Sequence, residues 1–132
     1  METINLEILG YFCDEAIEQL KAWPGICHAL EGQVSTTVGD WEVLCRNMHN
    51  IKGTSRSVGL PGLGEFSRLV EEYLFALRDG KLKLQAQRLA LVLESQTILL
   101  DWLTRVKVDA GYSPKIDDFV EKLKKASDSS VN

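Results

Sequence analysis

Apolar residues recur at three- and four-residue steps along nearly the whole chain, and no stretch alternates long enough to make a strand. Leu9, Phe12, Cys13, Ala16, Ile17 and Leu20 form the first stripe, that of an amphipathic helix. Pro24-Gly25 then punctuates the pattern, either as a break or as a kink before a further turn through Ile26–Leu30. Gly32–Asp40 is small and polar and reads as a loop, with Thr37 or Asp40 placed to cap the next helix. The spacing predicts that second helix from about Trp41 to Val58, with Trp41, Leu44, Met48, Ile51, Ser55 and Val58 along one side. Gly59-Leu60-Pro61-Gly62 stops it. A third helix, from near Leu63, buries Phe66, Leu69, Val70, Tyr73 and Leu77 and ends at Asp79-Gly80, where glycine suits the position past a helix end. A fourth, Lys83 to about Val106, is Leu-rich over more than one face, as a helix wedged between neighbours should be. Gly111, Ser113 and Pro114 open a short fifth helix carrying Ile116, Phe119, Val120 and Leu123.

Four long helices joined by short turns most economically make an all-α, antiparallel up-down four-helix bundle with an additional short C-terminal helix. One domain over residues 1–126 is expected, followed by a disordered tail or the start of a linker at 127–132. The charge balance, 15 Lys+Arg against 19 Asp+Glu in 132 residues, gives −4 and a pI near 5.2. That argues against nucleic acid, which calls for a basic surface. No apolar run approaches the roughly 20 residues that span a bilayer. No basic stretch precedes an apolar one at the N-terminus, so a cytoplasmic location without membrane insertion is expected. The cysteines, Cys13, Cys27 and Cys45, are odd in number and form no CxxC pair, so neither a disulfide framework nor a zinc knuckle is indicated. Cys13 and Cys45 fall on apolar stripes and read as small buried hydrophobes. Trp41 and Trp102 read as core, and His28 as loop or surface.

Candidate chemistry concentrates in HNIKGTSRSVG, residues His49 to Gly59. At roughly 100° per residue, His49, Lys52, Gly53 and Arg56 share one side of the second helix. With Met48 as zero, the apolar stripe centres near −20° and these four near +90°, on the flank between core and solvent. One imidazole nitrogen then reaches a neighbouring helix while the other faces water. Neutral imidazole is a nucleophile, and an unperturbed pKa near 6.5 leaves it mostly neutral at pH 7. Lys52, one turn on, places a positive charge beside whatever bonds to the outer nitrogen. Gly53 costs a helix interior roughly 1 kcal/mol against Ala, which suggests that something must approach the backbone closely. Glu71 stands ten residues after Pro61, as His49 stands ten before Gly59. In an antiparallel hairpin both lie about 15 Å from the turn at 1.5 Å per residue, hence side by side. A carboxylate accepting the Nδ1 proton fixes the tautomer with Nε2 bare and outward.

The spacing H-x-x-K-G, with a glycine ten residues after the histidine (His49, Lys52, Gly53 and Gly59), resembles the histidine-containing phosphotransfer (HPt) family. It is most similar to the N-terminal phosphotransfer domain of CheA-type chemotaxis kinases. The resemblance extends through FSRLVEEYLFALRDGK in the third helix and is most specific from Met48 to Lys81. It implies that an ATP-using histidine kinase domain phosphorylates His49 at Nε2, and that an aspartate of a response-regulator receiver domain, CheY-like, then takes the phosphoryl group. It also implies that Lys52 neutralises phosphoryl oxygens, Glu71 hydrogen-bonds the histidine, Gly53 keeps the approach open and Gly59 allows a tight turn. Two departures stand out: Arg68 where many chemotaxis-type members carry a second histidine, and TSRSVG, which puts Arg56 on the active face.

Arg56, Arg68, Phe75 and Gly59 are the candidate partner contacts. Arg56 and Arg68 are more often solvated surface charges, with contact to phosphate as the alternative for either, and Phe75 either anchors a receiver domain or packs on the fourth helix. No Gly-rich nucleotide loop is present, so the chain is expected to be a phosphocarrier and substrate rather than a kinase by itself, whether stand-alone or part of a histidine kinase. No bound cofactor or metal is expected; ATP and Mg²⁺ belong to the partner domains. A metal site from His49, Glu71 and Cys45 fits poorly, because Cys45 lies on the buried stripe. The alternative function is a non-catalytic helical module that docks a receiver domain.

Overall fold

The structure, a computed structural model, describes residues 5–32 and 38–128. Every regular element among them is helical: α1 Leu6–Lys21, α2 Trp23–Glu31, α3 Val38–Ser57, α4 Pro61–Arg78, α5 Ala86–Val106 and α6 Asp117–Ala126. Asn5 caps α1, its side-chain oxygen accepting from the Glu7 and Ile8 amides at 3.1 Å. Ala22 alone separates α1 from α2, and its backbone is itself helical. Pro24 falls in the first turn of α2, where a missing N–H costs least. The first stripe is thus divided in two while its path continues.

α3 begins at Val38, three residues ahead of Trp41, so Asp40 lies in the first turn near the positive helix end rather than capping it. Thr37 and the loop residues 33–37 lie outside the described residues, as do 129–132 of the expected tail. At the far end, Leu60 N–H donates to Ser55 O at 2.8 Å and Gly59 N–H to Arg56 O at 3.4 Å, the paired bonds of a Schellman ending. Gly59 has φ +87°, a left-handed conformation that glycine adopts without strain. Pro61 starts α4 instead of merely ending α3, since its fixed φ suits the first helical position. α5 starts at Ala86, later than Lys83, because the Arg88 guanidinium donates to Lys83 O at 2.7 Å and holds that segment outside the helix.

Cross-helix ion pairs mark the antiparallel order. Lys107, just past α5, pairs with Asp14 of α1. Arg78 pairs with Glu42 and Arg56 with Glu65, at opposite ends of the α3–α4 hairpin. α1 and α2 pack on α3 and α5, and α4 packs on α3 and α5, closing a four-membered bundle. Trp23, Trp41, Phe66 and Trp102 are buried in its core. α6 packs against α4 and α5 through Phe119 and Leu123, with the Phe119 ring 6.0 Å from that of Phe66 and Lys122 paired with Glu94 of α5. All three cysteines are free and buried, and desolvation pushes their thiols up to about 11, which keeps them protonated. No helix among the described residues is long and apolar enough to cross a membrane.

Candidate functional site

The α3–α4 hairpin carries the site. Its short turn sets the register, and the uniform helical rise carries that register three turns up both helices. His49 and Glu71 meet there: His49 Nδ1–H donates to Glu71 Oε2 at 3.1 Å. The His49 side chain is 67% exposed, whereas that of Glu71 is 4% exposed. With the Nδ1 proton engaged, Nε2 keeps its lone pair and faces solvent.

Lys52 occupies a different place from the one its spacing suggests. Instead of standing beside the outer nitrogen, its ammonium donates to Glu71 Oε1 at 2.7 Å, with the side chain only 20% exposed. The reason is electrostatic, since a carboxylate this deeply buried is costly unless a cation and hydrogen bonds compensate it. Glu71 is therefore a bridge, one oxygen on the histidine and the other on the lysine. Gly53 is exposed one turn along, and a Cβ added there meets nothing within 4 Å. The backbone beside His49 is bare.

Arg56 and Arg68 lie between His49 and the α3–α4 turn and do not touch the histidine. The Arg68 fork grips Glu65, with Nε 3.1 Å from both carboxylate oxygens, and donates through Nη1 to Glu72 at 2.8 Å. The hydrogen bond from Arg68 holds the Glu65 carboxyl below the usual carboxylate range. Arg56 Nη2 lies 4.0 Å from Glu65. Phe75 is half-buried against the core rather than free, and the Arg78 guanidinium covers its ring at 4.7 Å. Gly59 serves the turn through its backbone. His28, on α2, is exposed, Cys45 is buried, and no three His, Cys, Asp or Glu side chains among the described residues are grouped so as to hold a metal ion.

Two residues that spacing did not single out shape this surface. Gly64 falls inside the expected third helix without a role of its own, yet a Cβ there would stand 2.9 Å from Arg56 Cγ and 3.4 Å from Lys52 O. Glu65 carries no assigned role in the sequence pattern, yet both arginines converge on it. Helical spacing would have found Arg68 with Glu65 and Glu72, as i,i+3 and i,i+4 pairs. The approach of Arg56 across α4 needs the packed hairpin.

The Hpt domain family model matches residues 7–109. The chemotaxis protein CheA of Borreliella burgdorferi is 30% identical over 121 residues. That match takes in 91% of this chain and 14% of CheA, so the chain spans a small part of that relative's length. Among solved structures, the phosphorylated P1 domain of CheA3, in complex with CheY6 from R. sphaeroides, has a TM-score of 0.80 at 19% identity. The match covers 93% of this chain and 97% of that one. That likeness is one of fold.

Proposed function

The chain belongs to the Hpt domain family, and on that premise we propose that His49 carries a phosphoryl group between an ATP-using histidine kinase domain and a CheY-like receiver domain. The observation that supports this reading most is a histidine exposed at Nε2 and held at Nδ1 by a buried carboxylate. In the first step the Nε2 lone pair attacks the γ-phosphorus of ATP. The N–P bond forms as the bond to the ADP oxygen breaks. Nδ1 keeps its proton, so the phosphorylated ring carries positive charge, and Glu71 offsets it in place. In the second step a receiver aspartate oxygen attacks phosphorus, the N–P bond breaks, and the electron pair returns to Nε2.

Lys52 has a second part in this reading. Once the ring is charged, it competes for Glu71, and the ammonium is released toward the phosphoryl oxygens one turn away. Gly53 leaves the partner's loops room against the helix backbone, and Gly59 holds the hairpin register. Arg56 and Arg68 meet the partner, with Phe75 at the margin under Arg78. ATP and Mg²⁺ are held by the partner domains, and the chain acts as carrier and substrate in the cytoplasm. Membership in a larger CheA-type kinase fits the CheA relative, of which this chain matches one portion.

The test is phosphorylation by a CheA-type kinase domain with labelled ATP. Label should appear in an acid-labile, base-stable form, and His49→Gln should remove it while leaving the thermal melt unchanged. Label that survives in His49→Gln overturns the assignment. Receiver binding by a wild-type chain that never takes label would instead favour the docking module.

A further inference from the structure

We infer that Glu65 is an internal competitor: it occupies Arg56 and Arg68 in the free chain and gives them up to carboxylates of the receiver domain as that domain docks. This rests on the reading of His49 as a phosphoryl donor to a receiver, and adds to it a residue that sets how tightly the receiver is held. The geometry carries the argument. Arg68 lies three residues before Glu71, about 4.5 Å along α4, and Arg56 lies seven past His49, about 10 Å along α3. Both displacements run toward the hairpin turn, and bare Gly53 lies between His49 and Arg56 along α3. A domain large enough to bring an aspartate to Nε2 covers this stretch.

The occupant is chosen by charge. A receiver accepts phosphate on a carboxylate beside Mg²⁺, a hard cation held by oxygen ligands, so it brings an acidic pocket to this surface. Two guanidinium forks are suited to such groups. In the free chain those forks are already engaged: Arg68 Nε reaches both oxygens of Glu65 at 3.1 Å, Nη1 reaches Glu72, and Arg56 Nη2 lies 4.0 Å from Glu65. The contacts are weakly held, since Arg56, Arg68 and Glu65 have side chains 51%, 36% and 55% exposed. Exposed pairs of this kind contribute little and exchange readily. Gly64 completes the device, because any larger residue would press on Arg56 Cγ, 2.9 Å from where its Cβ would sit.

The test measures binding of a purified CheY-type receiver domain to the full, unphosphorylated chain at low ionic strength. Glu65→Gln should tighten the complex about fivefold, the scale of one exposed pair. The double variant Arg56→Gln/Arg68→Gln should weaken it by at least as much. In that arginine-free background, Glu65→Gln should change nothing. Glu94→Gln, which alters net charge equally on α5, should have no effect in either background. A Glu65→Gln chain that binds no tighter, or a gain that persists without the arginines, overturns the inference, as does a receiver that binds none of the variants. The measurement uses unlabelled protein, so a chain that failed to take phosphate on His49 would sink the carrier reading separately.

Discussion

Around Trp23 the bundle closes over its polar groups, whereas around His49 it leaves one of them open. In the first region Trp23 Nε1–H donates to Asn47 Oδ1 at 3.0 Å, and Gln96 donates to Leu20 O at 3.0 Å. All of these groups are neutral and buried, and they lie where α1 gives way to α2. In the second region every group except the ring is charged, and the ring faces water. Asn47 and His49 sit two residues apart on α3, on opposite sides of it, so a single helix serves both regions. The difference teaches what each polar group is for. A sealed neutral bond fixes the joint between two helices and leaves no reactive atom. A carboxylate bridging a lysine and a largely exposed histidine fixes one ring nitrogen and leaves the other free to react. His28 sharpens the point, because it is an exposed helical histidine to which no carboxylate among the described residues is bonded across a helix seam.

The contrast can be broken first at Glu71. Glu71→Gln keeps the shape but removes the charge that offsets a phosphorylated ring, and it sets an amide donor against Lys52 or His49. The rate of phosphoryl transfer should fall about 100-fold, the low end for a positioned proton-handling group. Single-turnover transfer measures this, with the far-UV melt as a check on folding. The sealed region should respond in the opposite way. Asn47→Leu leaves the buried Trp23 N–H without an acceptor and should cost about 1–3 kcal/mol of stability, with the transfer rate of the folded protein unchanged. Urea unfolding alongside transfer kinetics separates the two. The smallest effect belongs to Gly53→Ala. The added methyl meets open space and removes a mid-helix glycine, so the chain should gain up to about 1 kcal/mol. Transfer to the receiver should nevertheless slow, because the methyl fills the approach. A variant that gained stability at no loss of transfer would show that the bare backbone is not needed by the partner.

Much of the site was legible because helices are regular. His49 and Glu71 could be paired from sequence by counting ten residues back from Gly59 and ten on from Pro61. Helix starts were harder, because proline ends one helix and begins another with the same residue, as Pro61 does. The partnering of charges was not legible. Lys52 turns inward, Arg56 lies across Gly64, and Phe75 is covered by Arg78, each according to which neighbour the packed hairpin supplies.

The amino-acid order by itself determined the helical stripes, the glycine turn, the burial of Trp41 and Trp102 and the facing of one imidazole by one carboxylate, since these arise from local periodicity and short-range geometry. Only the tertiary structure decided how the charges are shared. A buried carboxylate draws in the nearest cation, and which cation that is depends on the distance between two helices rather than on spacing within one.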